Sequence, residues 1–282
     1  METLFMRTWF ITGASRGFGA LIAEQALARG DAVVATARNP QAVLNRIGEH
    51  PNLLAVALDV TDEAQTHAAA KAAVERFGRI DILVNNAGYG LLGAVEEASA
   101  AEIEAIYRTN VFGLLAVSRA VLPHMRRQRA GRILNISSIG GYAGFPGWGV
   151  YGSTKFAVEG LSESMAIELA PLGIHVTVVE PGFFRTDFLD ESSLVTSPTV
   201  IADYAETSGA MRDFAGSANH AQPGDPAKLA RVLVDFADVA KPPIRLPLGS
   251  DTVAKIEAED AATAALLAEW RAVAISTDFD AA

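Results

Sequence analysis

The sequence predicts a doubly wound α/β architecture, a parallel sheet with helices on both faces. Three observations predict it. Short runs rich in Val, Ile and Leu alternate with longer stretches of helical periodicity from Thr8 to Gly182. A glycine-rich turn, TGASRGFG, follows the first of those runs. No linker or repeat breaks the alternation before residue 182. Strands that are apolar throughout, with helices between them, belong in a parallel sheet covered on both sides.

The elements follow in order. TWFIT (8–12) reads as a strand and leads into a helix from about Gly17 to Arg29. DAVVATA (31–37) and NLLAVALDV (52–60) are the next strands, and AAAKAAVERFG (68–78) lies in a helix. DILVNNAG (81–88) is a strand, and residues 101–128 form one long helix. GRILNISS (131–138) is a strand, YGSTKFAVEGLSESMAIELAPLG (151–173) a helix and IHVTVVEPG (174–182) a strand. Residues 188–223 are less regular, with Ser, Thr, Gly and Pro scattered among apolar anchors, and suit a substrate-binding lid of one or two short helices. The C-terminal extension, 241–282, holds KPPIRLPLG, an Ala-rich helix up to Trp270 and a polar end. The whole chain, 1–282, reads as one dinucleotide-binding domain carrying that lid and extension.

Composition narrows the function. A formal net charge of −10 argues against a surface built for nucleic acid or an anionic membrane, so an anionic ligand must be held by local positive groups. The absence of Cys excludes disulfides, thiolate ligands and a thiol nucleophile. His50, His67, His124, His175 and His220 show no ligand spacing, so no metal site is expected. METLFMRTWF lacks the apolar core of a signal peptide, and no window has the length to span a bilayer. A cytoplasmic protein is the expectation.

The turn from Thr12 to Gly19 places Gly13, Gly17 and Gly19 between a strand and a helix, with Ser15, Arg16 and Phe18 among them. A backbone without side chains can approach a pyrophosphate, and the helix start holds its charge. The spacing differs from the common G-x-G-x-x-G form, but a Rossmann-type dinucleotide site fits its place in the chain. The second strand ends at Ala37 and Arg38, where an NAD-binding protein usually carries an acid. Arg16 and Arg38 without an acid suit a 2′-phosphate, so NADP(H) is preferred over NAD(H).

Tyr151 and Lys155 stand four residues apart, side by side on a helix. Taken alone the pair is weak evidence. With TGASRGFG, LDV at Asp59, NNAG at 85–88, TN at Asn110, ISS at Ser138, YGSTK at 151–155 and PGFFRT at 181–186, all in order, the chain from about Thr8 to Asp187 resembles the short-chain dehydrogenase/reductase family. FITGASRGFG and the PPIRLPLG stretch further resemble the subgroup similar to 17β-hydroxysteroid dehydrogenases.

The resemblance implies a set of roles. Tyr151 is the general acid in carbonyl reduction and the base in alcohol oxidation, and Lys155 lowers its pKa and binds the nicotinamide ribose. Ser138 bonds the substrate oxygen, and the Asn110 amide holds a water that connects Lys155 to solvent. Asp59 and Val60 contact adenine, while Asn86, Ala87 and Gly88 form the wall behind the ribose. Pro181 and Gly182 belong to the loop beside the nicotinamide, the Thr186 hydroxyl bonds the carboxamide or a phosphate, and the backbone of Phe184 lies nearby. Tyr142, Phe145, Trp148 and Phe188, with Tyr89, Phe183 and Leu189, are candidate substrate-lining residues, and an aromatic set suits an apolar carbonyl or alcohol. A homodimer or homotetramer is expected. Two other readings remain open: a cofactor-binding redox sensor without turnover, and a nucleotide-sugar epimerase or dehydratase.

Overall fold

A computed structural model describes residues 6–279. Residues 1–5, part of the stretch read for a targeting signal, and residues 280–282 of the C-terminal extension lie outside the described residues. Seven parallel strands form the main sheet, in the order β3-β2-β1-β4-β6-β7-β9. They are β1 (Thr8–Thr12), β2 (Ala32–Ala37), β3 (Leu53–Ala57), β4 (Ile82–Asn85), β6 (Gly131–Ile136), β7 (Ile174–Pro181) and β9 (Arg245–Leu248). The strand order reverses between β1 and β4, the switch point at which open α/β sheets bind ligands.

Successive side chains of β1 point to opposite faces, which builds two cores. Trp9 and Ile11 join α1 (Gly17–Ala28) and α8 (Pro226–Phe236) on one face through Ile22, Ala26, Leu229 and Leu233. Phe10 joins α3 (Glu63–Phe77), α5 (Leu114–Gln128) and α6 (Gly149–Leu169) on the other through Ala70, Val121, Met125 and Met165. Trp9 is fully buried, and its indole donates to Asp31 at 2.9 Å, so the polar end of this core residue is satisfied.

Several elements differ from those read in the sequence. The helix over 101–128 is two helices, α4 (Ala100–Tyr107) and α5, joined by a π-helical turn at Arg108–Gly113 that contains Asn110. Helix α2 (Pro40–Ile47) starts at an Asn39 cap, and α8 starts at an Asp225 cap, each with Pro at its first position. The PPIRLPLG stretch supplies β9, an edge strand, where Pro247 does least harm to the ladder. The last helix, α9 (Ser250–Ile275), runs past Trp270. Residues 188–223 contain β8 (Leu194–Thr196), paired in parallel with the short β5 (Gly90–Leu92), and α7 (Ala210–Ala218).

Candidate active site

The carboxyl ends of β1, β4, β6 and β7 open on one cavity of about 870 Å³. Its floor is the glycine-rich turn. Gly13 and Gly17 hold φ of +65° and +55°, the left-handed region that favours glycine. A Cβ on Gly19 would lie 2.5 Å from the Gly13 carbonyl oxygen and 2.6 Å from Asn86 Nδ2, so the turn closes only without one. The Arg16 side chain at the α1 N-cap makes no capping bond among the described residues, so the first N–H groups of the helix suit an anion. This cradle fits a dinucleotide pyrophosphate.

Asn86 is committed to building the turn: its Nδ2 donates to the carbonyls of Thr12 (2.9 Å) and Gly13 (3.0 Å). Thr12, which carried no signal beyond its place at a strand end, is the other half of this clamp. Its hydroxyl accepts from the N–H groups of Asn86 and Ala87 and donates to Val84. Gly88 passes close to Asn110, whose Oδ1 a Cβ there would meet at 3.1 Å.

Ser15, Phe18, Arg38, Asp59 and Val60 border the cavity, with Arg38 exposed at its rim. Asp59 Oδ1 accepts from the backbone and hydroxyl of Thr61, while the α3 cap is Asp62. Arg16 also borders the cavity, but its guanidinium donates to the Ser192 carbonyl and ties the turn to the 188–223 segment. On the far wall lie Pro181, Gly182, Phe184 and Thr186. The Phe184 ring sits edge-on to Phe18 at 5.6 Å, and Thr186 Oγ1 accepts from Phe188 N at 3.3 Å.

Tyr151, Lys155 and Ser138 converge on the same cavity. Lys155 is buried and donates from Nζ to the Ile136 carbonyl at 2.9 Å, with Nζ 5.6 Å from the Tyr151 ring centroid. Burial pulls Lys155 down to about 8, opposed by the charge of Glu159. Tyr151 does not show the lowered pKa expected from its neighbour: burial raises the phenol above its usual value, and a hydrogen bond with Ser138 pulls the other way. Desolvation disfavours phenolate, and here it outweighs the Ser138 hydrogen bond.

Asn110 is held on both its donor and acceptor sides by the protein. Both its amide N–H groups go to protein acceptors, the Tyr89 carbonyl at 3.0 Å and Thr154 Oγ1 at 3.2 Å, and its Oδ1 accepts from Tyr89 N. The side chain therefore secures the loop at Tyr89 with both N–H groups, and Oδ1 keeps a lone pair for a further donor.

Phe145, Trp148 and Phe188 line the cavity around Tyr151, as do Tyr89, Phe183 and Leu189. Trp148 is edge-on to Tyr151 at 5.5 Å and stacked on Phe188 at 6.3 Å. Tyr142 is not among the lining residues. Its hydroxyl donates to Asp260 of α9, its ring lies under the Arg245 guanidinium at 5.3 Å, and it borders a separate cavity. The C-terminal helix claims this side chain, and Tyr142 stands apart from the substrate-lining set.

The fold also brings together what looked scattered. His220 Nε2 lies 3.1 Å from Asp190, and with Asp187 the three offer ligand atoms within 4.8 Å. This group pins residues 219–222 against 187–190. Gln222, which no sequence pattern singled out, reaches the cavity wall from that segment.

Comparison with known proteins agrees with this geometry. The family model described as short chain dehydrogenase matches residues 7–194. The chain is 43% identical over 249 residues to an oxidoreductase, BOA17, of Botryotinia fuckeliana, covering 88% of this chain and 90% of that protein. It is 38% identical over 240 residues to a 3-ketodihydrosphingosine reductase of Bacteroides thetaiotaomicron, covering 85% and 86%. The structure of a short-chain dehydrogenase from Streptomyces avermitilis superposes with a TM-score of 0.90 at 42% identity, covering 97% and 100%. A Burkholderia phymatum enzyme in complex with NAD (TM-score 0.78, 26% identity, 91% and 94% covered) and ElxO with NADP bound (0.72, 29%, 89% and 100%) share the fold. The glycine cradle, the Tyr–Lys pair and these matches have one reading: the chain belongs to the short-chain dehydrogenase/reductase family and is an oxidoreductase that uses a nicotinamide cofactor.

Proposed function

We propose that the protein interconverts a carbonyl and a secondary alcohol with NADP(H), preferred over NAD(H), on an apolar substrate. The observation that carries the reading is the convergence of Tyr151, Ser138 and Lys155 beneath an aromatic wall at the switch-point cavity. Bound there, the dinucleotide supplies or accepts the hydride. The chain supplies the rest. Tyr151, kept protonated by burial, gives its proton to the carbonyl oxygen as that oxygen gains charge. Ser138 holds the same oxygen and favours the phenolate that forms. Lys155, fixed by Ile136, offers its charge to the phenolate and to the ribose. The helix start and glycines of the first turn hold the pyrophosphate, with Asp59 and Val60 toward adenine. Trp148, Phe145 and Phe188 exclude water around the reacting carbon.

The ketone named in the Bacteroides relative supports a carbonyl substrate with a long apolar part. The chain acts as one domain in the cytoplasm, with 188–223 as its lid, and no helix among the described residues is long and apolar enough to cross a membrane. Leu266, Leu267 and Trp270, more than half exposed on α9, support self-association. Oxidation of NADPH across a panel of aromatic, aliphatic and steroid ketones tests the activity. Tyr151→Phe abolishes turnover and leaves NADPH affinity near wild type. Tight cofactor binding with no turnover on any ketone would favour the sensor reading instead.

A further inference from the structure

We infer that Gln222 is a cofactor-binding residue whose side-chain carboxamide pairs with the carboxamide of the nicotinamide. The inference rests on the nicotinamide dinucleotide reading above and adds a residue to it. Gln222 is 3% exposed, yet neither its Nε2 nor its Oε1 has a hydrogen-bond partner among the described residues. A buried amide without partners is costly, and native proteins rarely keep one without a reason. This one lies on the wall of the cavity.

Its position is fixed from behind. The Gln222 carbonyl accepts from Arg185 Nε at 3.2 Å and from the same guanidinium's NH2 at 3.1 Å. Two residues on, Gly224 bridges to Phe184, donating to the Phe183 carbonyl and accepting from Arg185 N, both at 2.9 Å. A Cβ on Gly224 would lie 2.6 Å from the Phe184 ring, so the approach depends on glycine. Phe184 in turn packs on Phe18 of the glycine-rich turn. Gln222 therefore stands where the pyrophosphate turn meets the loop after β7, beside the nicotinamide half of the cofactor.

The chemistry of the amide selects the group it meets there. A pyrophosphate only accepts, which would leave Oε1 unpaired. The ribose hydroxyls belong to Lys155 in the functional reading. A carboxamide offers a donor and an acceptor on one edge and satisfies both atoms of Gln222 with two N–H···O bonds.

The test compares ligands that differ only in the group at issue. Gln222→Met keeps the shape and removes both polar atoms. Its Kd for NADPH should rise about tenfold, the effect of losing two neutral hydrogen bonds, while its Kd for 2′-phospho-ADP-ribose, which has no nicotinamide, stays within about twofold of wild type. The acetylpyridine analogue of NADP+, which keeps the carbonyl but lacks the amide N–H, should bind wild type about threefold or more weaker than NADP+ and bind Gln222→Met as well as NADP+ does. Without ligand, the melting temperature of Gln222→Met should equal or exceed that of wild type, because an unpaired buried amide is gone. Gln222→Glu, which keeps the size but loses the donor, should also weaken NADPH more than 2′-phospho-ADP-ribose. Equal losses for NADPH and 2′-phospho-ADP-ribose, no loss for either, or a change confined to the KM of the ketone would each overturn the assignment. Wild-type protein that binds NADPH no better than 2′-phospho-ADP-ribose would overturn the nicotinamide reading along with it.

Discussion

At Tyr151, burial and the Ser138 hydrogen bond act in opposite directions on one hydroxyl, and burial wins. The sequence places Tyr151 and Lys155 side by side but carries no measure of how deeply the fold buries them, which is why the lowered phenol was expected and is not observed. Lys155 then becomes the group that titrates near neutrality. As a base lowered to about 8, it is cationic below that pH and neutral above it. The kcat/KM for NADPH, which reports the free enzyme, should be level up to about pH 7 and fall above about pH 8. Lys155→Arg, if active, should lose that limb, and a wild-type profile level to about pH 10 would refute the assignment. Cofactor choice is also decided by single residues. Arg16 donates to Ser192 and Arg38 is exposed at the rim, so Arg38 is the better placed of the two for a 2′-phosphate. Arg38→Asp should weaken NADPH by about 10- to 100-fold, the effect of one charge-assisted contact, and improve NADH relative to it. Titration of both cofactors decides this, and equal wild-type affinities would sink the preference.

Among the elements, the strands β1, β2, β3, β4, β6 and β7 and the helices α1, α3 and α6 were the legible part. The turn signals before α2 and α8, Asn39-Pro40 and Asp225-Pro226, stand in the sequence and could have marked both helices. The π-helical turn at Arg108–Gly113 could not have been read, because one wider turn barely disturbs the apolar periodicity of 101–128. The role of β9 was equally hidden, since it depends on contacts made across the sheet. From β9, Arg245 reaches Glu159 (2.8 Å) and Glu163 (2.8 Å) on α6 and Glu180 (2.7 Å) on β7. Glu159 and Glu180 are almost wholly buried, and burial pushes Glu159 up to about 8. Arg245→Met leaves two buried carboxyls without their cation. The expected loss is about 3 kcal/mol, at the low end for a broken buried pair because Arg245 is about one-third exposed. The sign with pH follows from the raised carboxyl. An acid whose folded pKa exceeds its unfolded value carries no penalty below the unfolded value and the full penalty above the folded one. Glu159 is neutral in both proteins below about pH 8, so the deficit of Arg245→Met should be smallest below that pH and grow above it. Denaturant unfolding of both proteins across that range measures it, and a deficit that grew on acidification would contradict the account.

Over the whole molecule, the alternation of elements fixed the parallel sheet and its carboxyl-edge cavity, but the 188–223 segment was legible only as an irregular stretch. Its anchoring depends on long-range partners. The β5–β8 pairing holds its first part. The buried Glu97 holds the middle, accepting from Ala94 N and Ile201 N and pairing with Arg212. Those backbone bonds, with Arg212, keep its carboxyl below the usual range. The last part is held more lightly: Phe214 remains 46% exposed against Phe183, and His220 and Asn219 lean on Asp190. If the segment closes over substrate, the motion should be greatest in the second half of α7, residues 213–218, between the Arg212 anchor and the residues held by Asp190 and Arg185, while β8 stays still. Hydrogen exchange should be fast in α7 in the free protein, slow once cofactor and substrate are both bound, and slow throughout in β8. Phe214→Ala should raise the KM for the ketone several-fold, by about the loss of one aromatic contact, and leave the Kd for NADPH unchanged. Exchange in α7 that ignores both ligands, together with wild-type ketone kinetics in Phe214→Ala, would show a permanently packed wall instead of a lid.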